Sequence, residues 1–311
     1  VVIEEECRLM TAQPRNRRKR TAALLPILLL ILMTSSAWAE ICKGSRVSRA
    51  ELTEDDAHVE LSPAEIDAAL QAHLPWGQPA CPRLLPQQEY ILCYDPVNRV
   101  TLWAAYKLKA EEIMFAERRD AFRTDPRLSA DENASCADYA GTGFARGHAV
   151  PREDMNRSAA AQADTFFLTN MTPQFPVFNG GIWARLERLV RDYARQYGEV
   201  YVITGSVLQE PLRRLPSNRV AIPSRFYKIL LRSHGSGTPE ALAIVLPHLL
   251  FQPSPDGTQG RPKVGTAAEA YLAFHTASIR EIEHLTGLNL LPKLDAESLK
   301  RSVARELWLR N

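Results

Sequence analysis

Between Ile182 and Tyr197 the chain carries Ile182, Leu186, Leu189, Val190, Tyr193 and Tyr197 at helical spacing, with Arg185, Arg188, Arg191 and Arg195 on the other faces. A helix with such an apolar stripe must bury it against another layer, and Gly198 marks its end. Strand-like composition follows at Val200 to Thr204, Phe226 to Leu231 and Ala241 to Leu246. Upstream, the stretch from Arg99 to Leu108 has the same character. Thr165-Phe166-Phe167-Leu168 reads as a short buried strand ending at the polar Asn170. One strong amphipathic helix among several strands restricts the chain to a mixed α/β layering.

The remaining segments fit around that frame. Ser62-Pro63-Ala64-Glu65 places Ser at the N-cap, Pro at N1 and Glu at N3 of a helix. That helix carries Ile66, Ala69, Leu70 and His73 on one side and stops before Pro75. A charged stretch through Arg118, Arg119 and Arg123 to Asp125-Pro126 reads as a surface excursion. Pro/Ser/Gly-rich loops separate the later strands, Gln252 to Pro262 being the longest, and helices around Ala267 to Leu285 and Ala296 to Leu309 close the chain. There is no internal repeat and no second boundary, so 311 residues with 45% apolar content are read as one mixed domain behind a leader.

Arg15, Arg17, Arg18, Lys19 and Arg20 precede an apolar run from Ala22 to Met33, then Ala37-Trp38-Ala39. A basic region, a short apolar region and a small-x-small site define a secretory signal peptide, with cleavage expected after Ala39. The twelve apolar residues fall short of the roughly 20 that span a bilayer. Residues before Arg15 make a long lead-in, so translation is expected from Met10. Removing residues 1–39 takes six of the 38 basic and three of the 36 acidic residues, leaving 32 and 33 and a net charge of −1. Overall charge therefore gives no support for a polyanionic partner; local arginine placement has to supply it. The expected organisation is a signal peptide over 1–39, an N-terminal extension over 40–82 and the main domain over 83–311. The destination is the periplasm or the medium. Cys42, Cys81, Cys93 and Cys136 remain, an even number for an oxidising compartment, and any of three pairings is open. All four precede the chemical motifs and read as staples of the N-terminal part, with no zinc spacing among them.

Those motifs are Gly143-Phe144-Ala145-Arg146-Gly147-His148-Ala149, Thr169-Asn170-Met171-Thr172-Pro173-Gln174 and Phe178-Asn179-Gly180-Gly181-Ile182-Trp183-Ala184-Arg185-Leu186-Glu187. His148 is a base that is neutral near pH 7, beside a glycine that permits close backbone approach. Asn179 offers a hard neutral oxygen suited to Mg²⁺, which keeps most of its waters, although an Asn just ahead of a helix also serves as an N-cap. Glu187 lies eight residues on, with Trp183 halfway, so that a ridge at i, i+4 and i+8 points all three one way. The plainer alternative for Glu187 is an exposed pairing with Arg191. Arg146 alternates to the same side of an extended segment as His148 and suits a phosphate oxygen. Arg119 offers a second such contact, with Arg118 and Arg123 as near alternatives.

Phe144-Ala145-Arg146-Gly147-His148, the Asn170-Met171-Thr172-Pro173-Gln174 segment and Asn179-x-Gly181-x-Trp183-x-x-x-Glu187 together resemble the DNA/RNA non-specific endonucleases, the ββα-metal nucleases. The Leu102-Trp103-Ala104-Ala105-Tyr106 and Ile282-Glu283-His284-Leu285-Thr286-Gly287 segments fit as well, so the resemblance runs from about Tyr90 to Pro292. It implies an α+β fold in which a central, mainly antiparallel sheet is flanked by helices around a ββα-metal core. It also implies His148 as general base and Asn179 as sole direct protein ligand of Mg²⁺, with Mn²⁺ as substitute. Glu187 would hold a water bound to the ion, Arg146 and Arg119 would contact phosphate, and Asn170 would support the site. Members usually carry Asp where Ala145 stands. A methyl group accepts no hydrogen bond, so reduced turnover with base and ligand intact is expected.

The function expected is an exported, Mg²⁺-dependent endonuclease acting on DNA and RNA with little sequence preference. Its rivals are a nucleic-acid-binding protein on the same scaffold that has lost turnover, motivated by Ala145, and a small-molecule phosphodiesterase. DNA-versus-RNA preference, homodimerisation and restraint by an inhibitor protein stay open at this point.

Overall fold

Side chains alternate along a β-strand, and in the ten-residue strand Val100–Lys109 both sets contribute buried apolar residues. Trp103 and Ala105 enter one core, whereas Ala104, Tyr106 and Leu108 enter another. A strand buried on both faces requires cover on both sides. The computed structural model, which describes residues 41–53, 58–233, 239–250 and 266–308, provides it. The sheet runs in the order β1 (Arg83–Pro86), β2 (Ile91–Asp95), β3 (Val100–Lys109), β6 (Glu199–Val207), β9 (Arg225–Arg232), β10 (Glu240–Pro247) and β11 (Thr276–Ala277). Every neighbouring pair in it is antiparallel. Two short antiparallel pairs lie outside it: β4 (Ala145–His148) with β5 (Met171–Gln174), and β7 (Arg213–Arg214) with β8 (Ala221–Ile222).

The helices are α1 (Pro63–His73), α2 (Cys136–Tyr139), α3 (Ala159–Asp164), α4 (Pro176–Phe178), α5 (Ala184–Tyr197), α6 (Thr266–Phe274), α7 (Ile279–Thr286) and α8 (Glu297–Arg301). One core packs Leu186, Leu189, Val190 and Tyr193 of α5 and Leu272 of α6 against Tyr106, Val202 and Leu230 of the sheet. The other packs Ala69 of α1 and Ile279 and Ile282 of α7 against Trp103, Ile203 and Ile229. Burying each large side chain contributes roughly 1.5–3 kcal/mol. α1 starts as its sequence predicts: the Ser62 hydroxyl accepts from Glu65 N–H, and the Glu65 carboxylate accepts from Ser62 N–H at 2.8 Å. Gly198, at φ +86°, ends α5. Disulfides join Cys42 to Cys136 and Cys81 to Cys93. Among the described residues no helix is long and apolar enough to cross a membrane.

Several expectations are corrected. Thr165 to Leu168 form a turn and a 3-10 segment, not a strand; the strand lies further on, at β5. Their burial is as expected, with Phe166 and Leu168 fully enclosed, so apolarity here marked the core and not the conformation. The charged stretch ending at Asp125 is no surface excursion, since Asp120, Arg123 and Asp125 are all buried. Arg123 donates to Ala163 O at 2.9 Å and lies 4.1 Å from the Phe167 ring centroid. The helix expected over Ala267 to Leu285 is two helices broken at β11. Ser278 caps the second by accepting from Glu281 N–H. The last helix is confined to Glu297–Arg301. The leader and the loop from Gln252 to Pro262 lie outside the described residues.

Candidate active site

The register of β4 against β5 pairs Ala145 with Gln174, Arg146 with Pro173, Gly147 with Thr172 and His148 with Met171. Gly147 is required here. A Cβ on it would lie 2.2 Å from Cδ of Gln174, so any other residue would have to displace that buried side chain. Arg146 and His148, two apart, both come to Phe122: the guanidinium carbon lies 4.2 Å from the ring centroid and the imidazole centroid 5.8 Å from it. Phe166 meets the imidazole edge-on at 5.3 Å. Nε2 of His148 is buried without a hydrogen-bond partner. Burial, followed by the positive charge of Arg118, lowers the His148 pKa to about 4; Glu153 and Asp120 act against this and Arg152 with it. The imidazole is therefore neutral at physiological pH, the state a base requires.

After β5 the chain turns at Phe175 into α4, a π turn over Asn179–Trp183 and then α5. Two strands followed by this helix form the ββα unit. Asn179 is no N-cap: its φ of −57° and ψ of −53° are helical, because Pro176 opens the helix three residues earlier. Its side-chain amide has no hydrogen-bond partner among the described residues and is partly exposed. The π turn, with Gly181 at φ −107° and ψ −108°, departs from the regular ridge expected through Asn179, Trp183 and Glu187. It leaves Trp183 buried while Asn179 and Glu187 remain partly accessible. Trp183 and His148 line one small cavity beside β6, which ties the π turn to β4.

Glu187 does not pair with Arg191, which donates to Asp154 Oδ1 at 2.8 Å. Burial raises the Glu187 pKa; Lys228 lowers it, whereas Asp154 and Glu153 push it further up. Lys228, fully buried within β9, donates to Thr204 Oγ1 at 3.1 Å and sits 4.6 Å from the Trp183 ring centroid. Asp154 also accepts from the Tyr106 hydroxyl at 2.7 Å. The sequence reading missed Lys228, Asp154 and Glu153. A lone lysine inside the apolar run from Phe226 to Leu231 was the available signal for the first.

Two predicted residues have other partners. The side chain of Asn170 is fully buried and spent on backbone: Oδ1 accepts from Val150 N–H at 3.0 Å, and Nδ2 donates to Val150 O and Thr165 O. It fixes the chain just past His148 and offers nothing to a substrate. Arg119 donates to Glu51 O at 2.9 Å, directing its guanidinium to the N-terminal segment, while Arg118 carries the charge felt at His148. Ala145 sits across from Gln174, whose buried amide has no partner on either atom.

The donor set fits a hard divalent cation. An uncommitted amide oxygen at Asn179 stands near the start of the helix that carries Glu187. That carboxylate, partly withdrawn from solvent, feels two further acids. Among the described residues no three His, Cys, Asp or Glu side chains gather into a cage, so an ion here would draw its other oxygens from water and phosphate.

The profile described as DNA/RNA non-specific endonuclease matches residues 75–297. Endonuclease G, mitochondrial, of Homo sapiens is 34% identical over 185 residues, 56% of this chain and 62% of that protein's length. The nuclease of Nostoc sp. is 30% identical over 247 residues, covering 73% of this chain and 83% of its own. A solved chain from the EndoG/EndoGI complex superimposes with a TM-score of 0.64 at 22% identity, over 77% of this chain and 96% of that one, a likeness of fold. The matched span takes in the sheet from β1 onward, the β4–β5 pair and the helix behind it, and the chain belongs to the DNA/RNA non-specific endonuclease family.

Proposed function

We propose that the protein is an exported, Mg²⁺-dependent endonuclease that hydrolyses DNA and RNA with little sequence preference, Mn²⁺ serving as a substitute. The observation that carries this reading is a half-buried, neutral imidazole at His148 sharing one strand and one aromatic support with Arg146, ahead of a helix bearing Asn179 and Glu187. Arg146 binds and orients the scissile phosphate. His148 takes a proton from the attacking water as it adds in line to phosphorus. Asn179 would ligate the cation and Glu187 would accept from a water of its hydration shell. When bound, the ion supplies Lewis-acid stabilisation of the phosphorane-like charge and of the leaving 3′ oxygen. The products carry 5′ phosphates. Lys228 and Arg191 offset the acids around Glu187. Arg119 is retained only as a peripheral phosphate contact, and Asn170 as the residue that positions the backbone after His148.

Two disulfides support a route through an oxidising compartment, with residues 1–39 as the removed leader, 40–82 as an extension and 83–311 as the nuclease domain. An inhibitor protein is a fitting partner class, given the EndoG/EndoGI complex, and homodimerisation is a matter for sedimentation. The test is a gel of the mature protein with plasmid DNA and with RNA in Mg²⁺, with and without EDTA. Wild type degrades both substrates and EDTA stops it. His148→Ala lowers the rate by about 10²–10⁴-fold. A fully active His148→Ala variant refutes the assignment, and tight DNA binding without cleavage in Mg²⁺ or Mn²⁺ would favour a binding protein, the outcome that Ala145 and the unpaired Gln174 amide would then explain.

A further inference from the structure

We infer that the face beside Arg146 is a subsite for the nucleotide flanking the scissile phosphate, with Lys43 as its second phosphate contact. This deepens the nuclease reading and rests on it. A cavity of about 400 Å³ opens there, lined by Lys43, Cys136, Tyr139, Gly141, Phe144 and Arg146 among others. That volume lies within the roughly 300–1,000 Å³ typical of small-molecule sites. Its lining contains two cations, two aromatic rings and no carboxylate. Neither Lys43 nor Arg146 is in an ion pair among the described residues, and Lys43 is exposed. Unneutralised cations beside aromatic rings match the two halves of a nucleotide, a phosphate and a stacking base.

The N-terminal segment builds this wall. Cys42 is bonded to Cys136, and its N–H donates to Phe122 O at 2.8 Å. Val47 N–H donates to Asp120 O at 3.1 Å, and Arg46 pairs with Asp120. The segment thus runs beside the residues whose Phe122 ring supports both Arg146 and His148. Arg146 Nη2 donates to Lys43 O at 3.5 Å, so backbone from this segment orients the guanidinium while its side chain adds a second positive charge. On the opposite wall Phe144 stacks on Phe175 at 4.8 Å, and Phe175 immediately precedes the helix that carries Asn179. Arg146 joins the cavity to the proposed site, since it lines the one and shares the Phe122 ring with His148 in the other.

The experiment measures binding of single-stranded dT oligomers to the mature, disulfide-bonded protein in EDTA across a salt series. It compares wild type, Lys43→Ala, Lys43→Glu and Arg301→Glu, the last an exposed arginine of α8 that does not line the cavity. Lys43 is exposed, so its variants fold. Lys43→Ala should lower the slope of log affinity against log salt by about 0.7, the value for one single-strand phosphate contact. Lys43→Glu should weaken binding about 5- to 20-fold, and Arg301→Glu should bind as wild type. Lys43→Glu binding like wild type, or Arg301→Glu weakening binding as much, overturns the subsite while plasmid cleavage by wild type leaves the nuclease reading standing. Wild type that neither binds the oligomers nor cleaves plasmid overturns both.

Discussion

His148 shows how an ordinary side chain becomes a base through its surroundings. Two aromatic rings and a short strand shield the imidazole from part of its water, and Arg118 adds a like charge, so the pKa falls to about 4 from an unperturbed value near 6.5. The sign follows directly. Above about pH 6.5 both folded and unfolded chains hold this ring neutral, and it contributes no pH dependence. Between about 6.5 and 4 the unfolded chain binds a proton that the folded one refuses, so this group's contribution disfavours folding as pH falls. The base itself stays unprotonated until about pH 4. Ring resonances of His148 in the metal-free protein should titrate with a midpoint near 4 by NMR; a midpoint of 6 to 7 would mean that the imidazole is solvated and the packing described here is wrong.

At the scale of elements, the site depends on how two short strands are anchored. β4 and β5 have four residues each, too few to hold a register by pairing alone. Asn170 supplies the anchor, with three hydrogen bonds to backbone on either side. Asn170→Ala removes all three partners at once from buried backbone groups, and should cost roughly 2–5 kcal/mol. Urea denaturation measures that loss; a change under about 0.5 kcal/mol would show that Asn170 is no anchor. This role was not legible beforehand, because a buried Asn that holds backbone and an Asn that touches substrate look alike in a sequence. The reach of α5 was legible from its apolar period, and so was its end at Gly198. The π turn ahead of it was not, since nothing in Asn179-Gly180-Gly181-Ile182-Trp183 distinguishes a wide turn from a regular one until Trp183 is packed under Phe226 and Lys228.

For the whole molecule, the Cys42–Cys136 bond spans 94 residues and joins the N-terminal segment to the wall of the site. In the chain-entropy description a loop of that length is worth about 4–5 kcal/mol. The Cys42→Ser/Cys136→Ser double variant should therefore unfold at markedly lower urea, and Cys81→Ser/Cys93→Ser, which opens a loop of 12 residues, should lose less, about 3 kcal/mol. Equal losses would contradict the entropic account. What the sequence determined by itself is whatever depends on near neighbours: the strand composition of β3, the capped start of α1, the stripe of α5, the ordered motifs that placed His148, Asn179 and Glu187 in one family. What only the tertiary structure decided is whatever depends on distant partners: which cysteines join, that Arg191 serves Asp154 and not Glu187, that Arg119 turns toward Glu51, that Lys228 lies buried near the helix. The reason is physical. A repeating pattern reports burial within one element, whereas a hydrogen bond, an ion pair or a pKa depends on groups brought together only when the sheet and helices have packed.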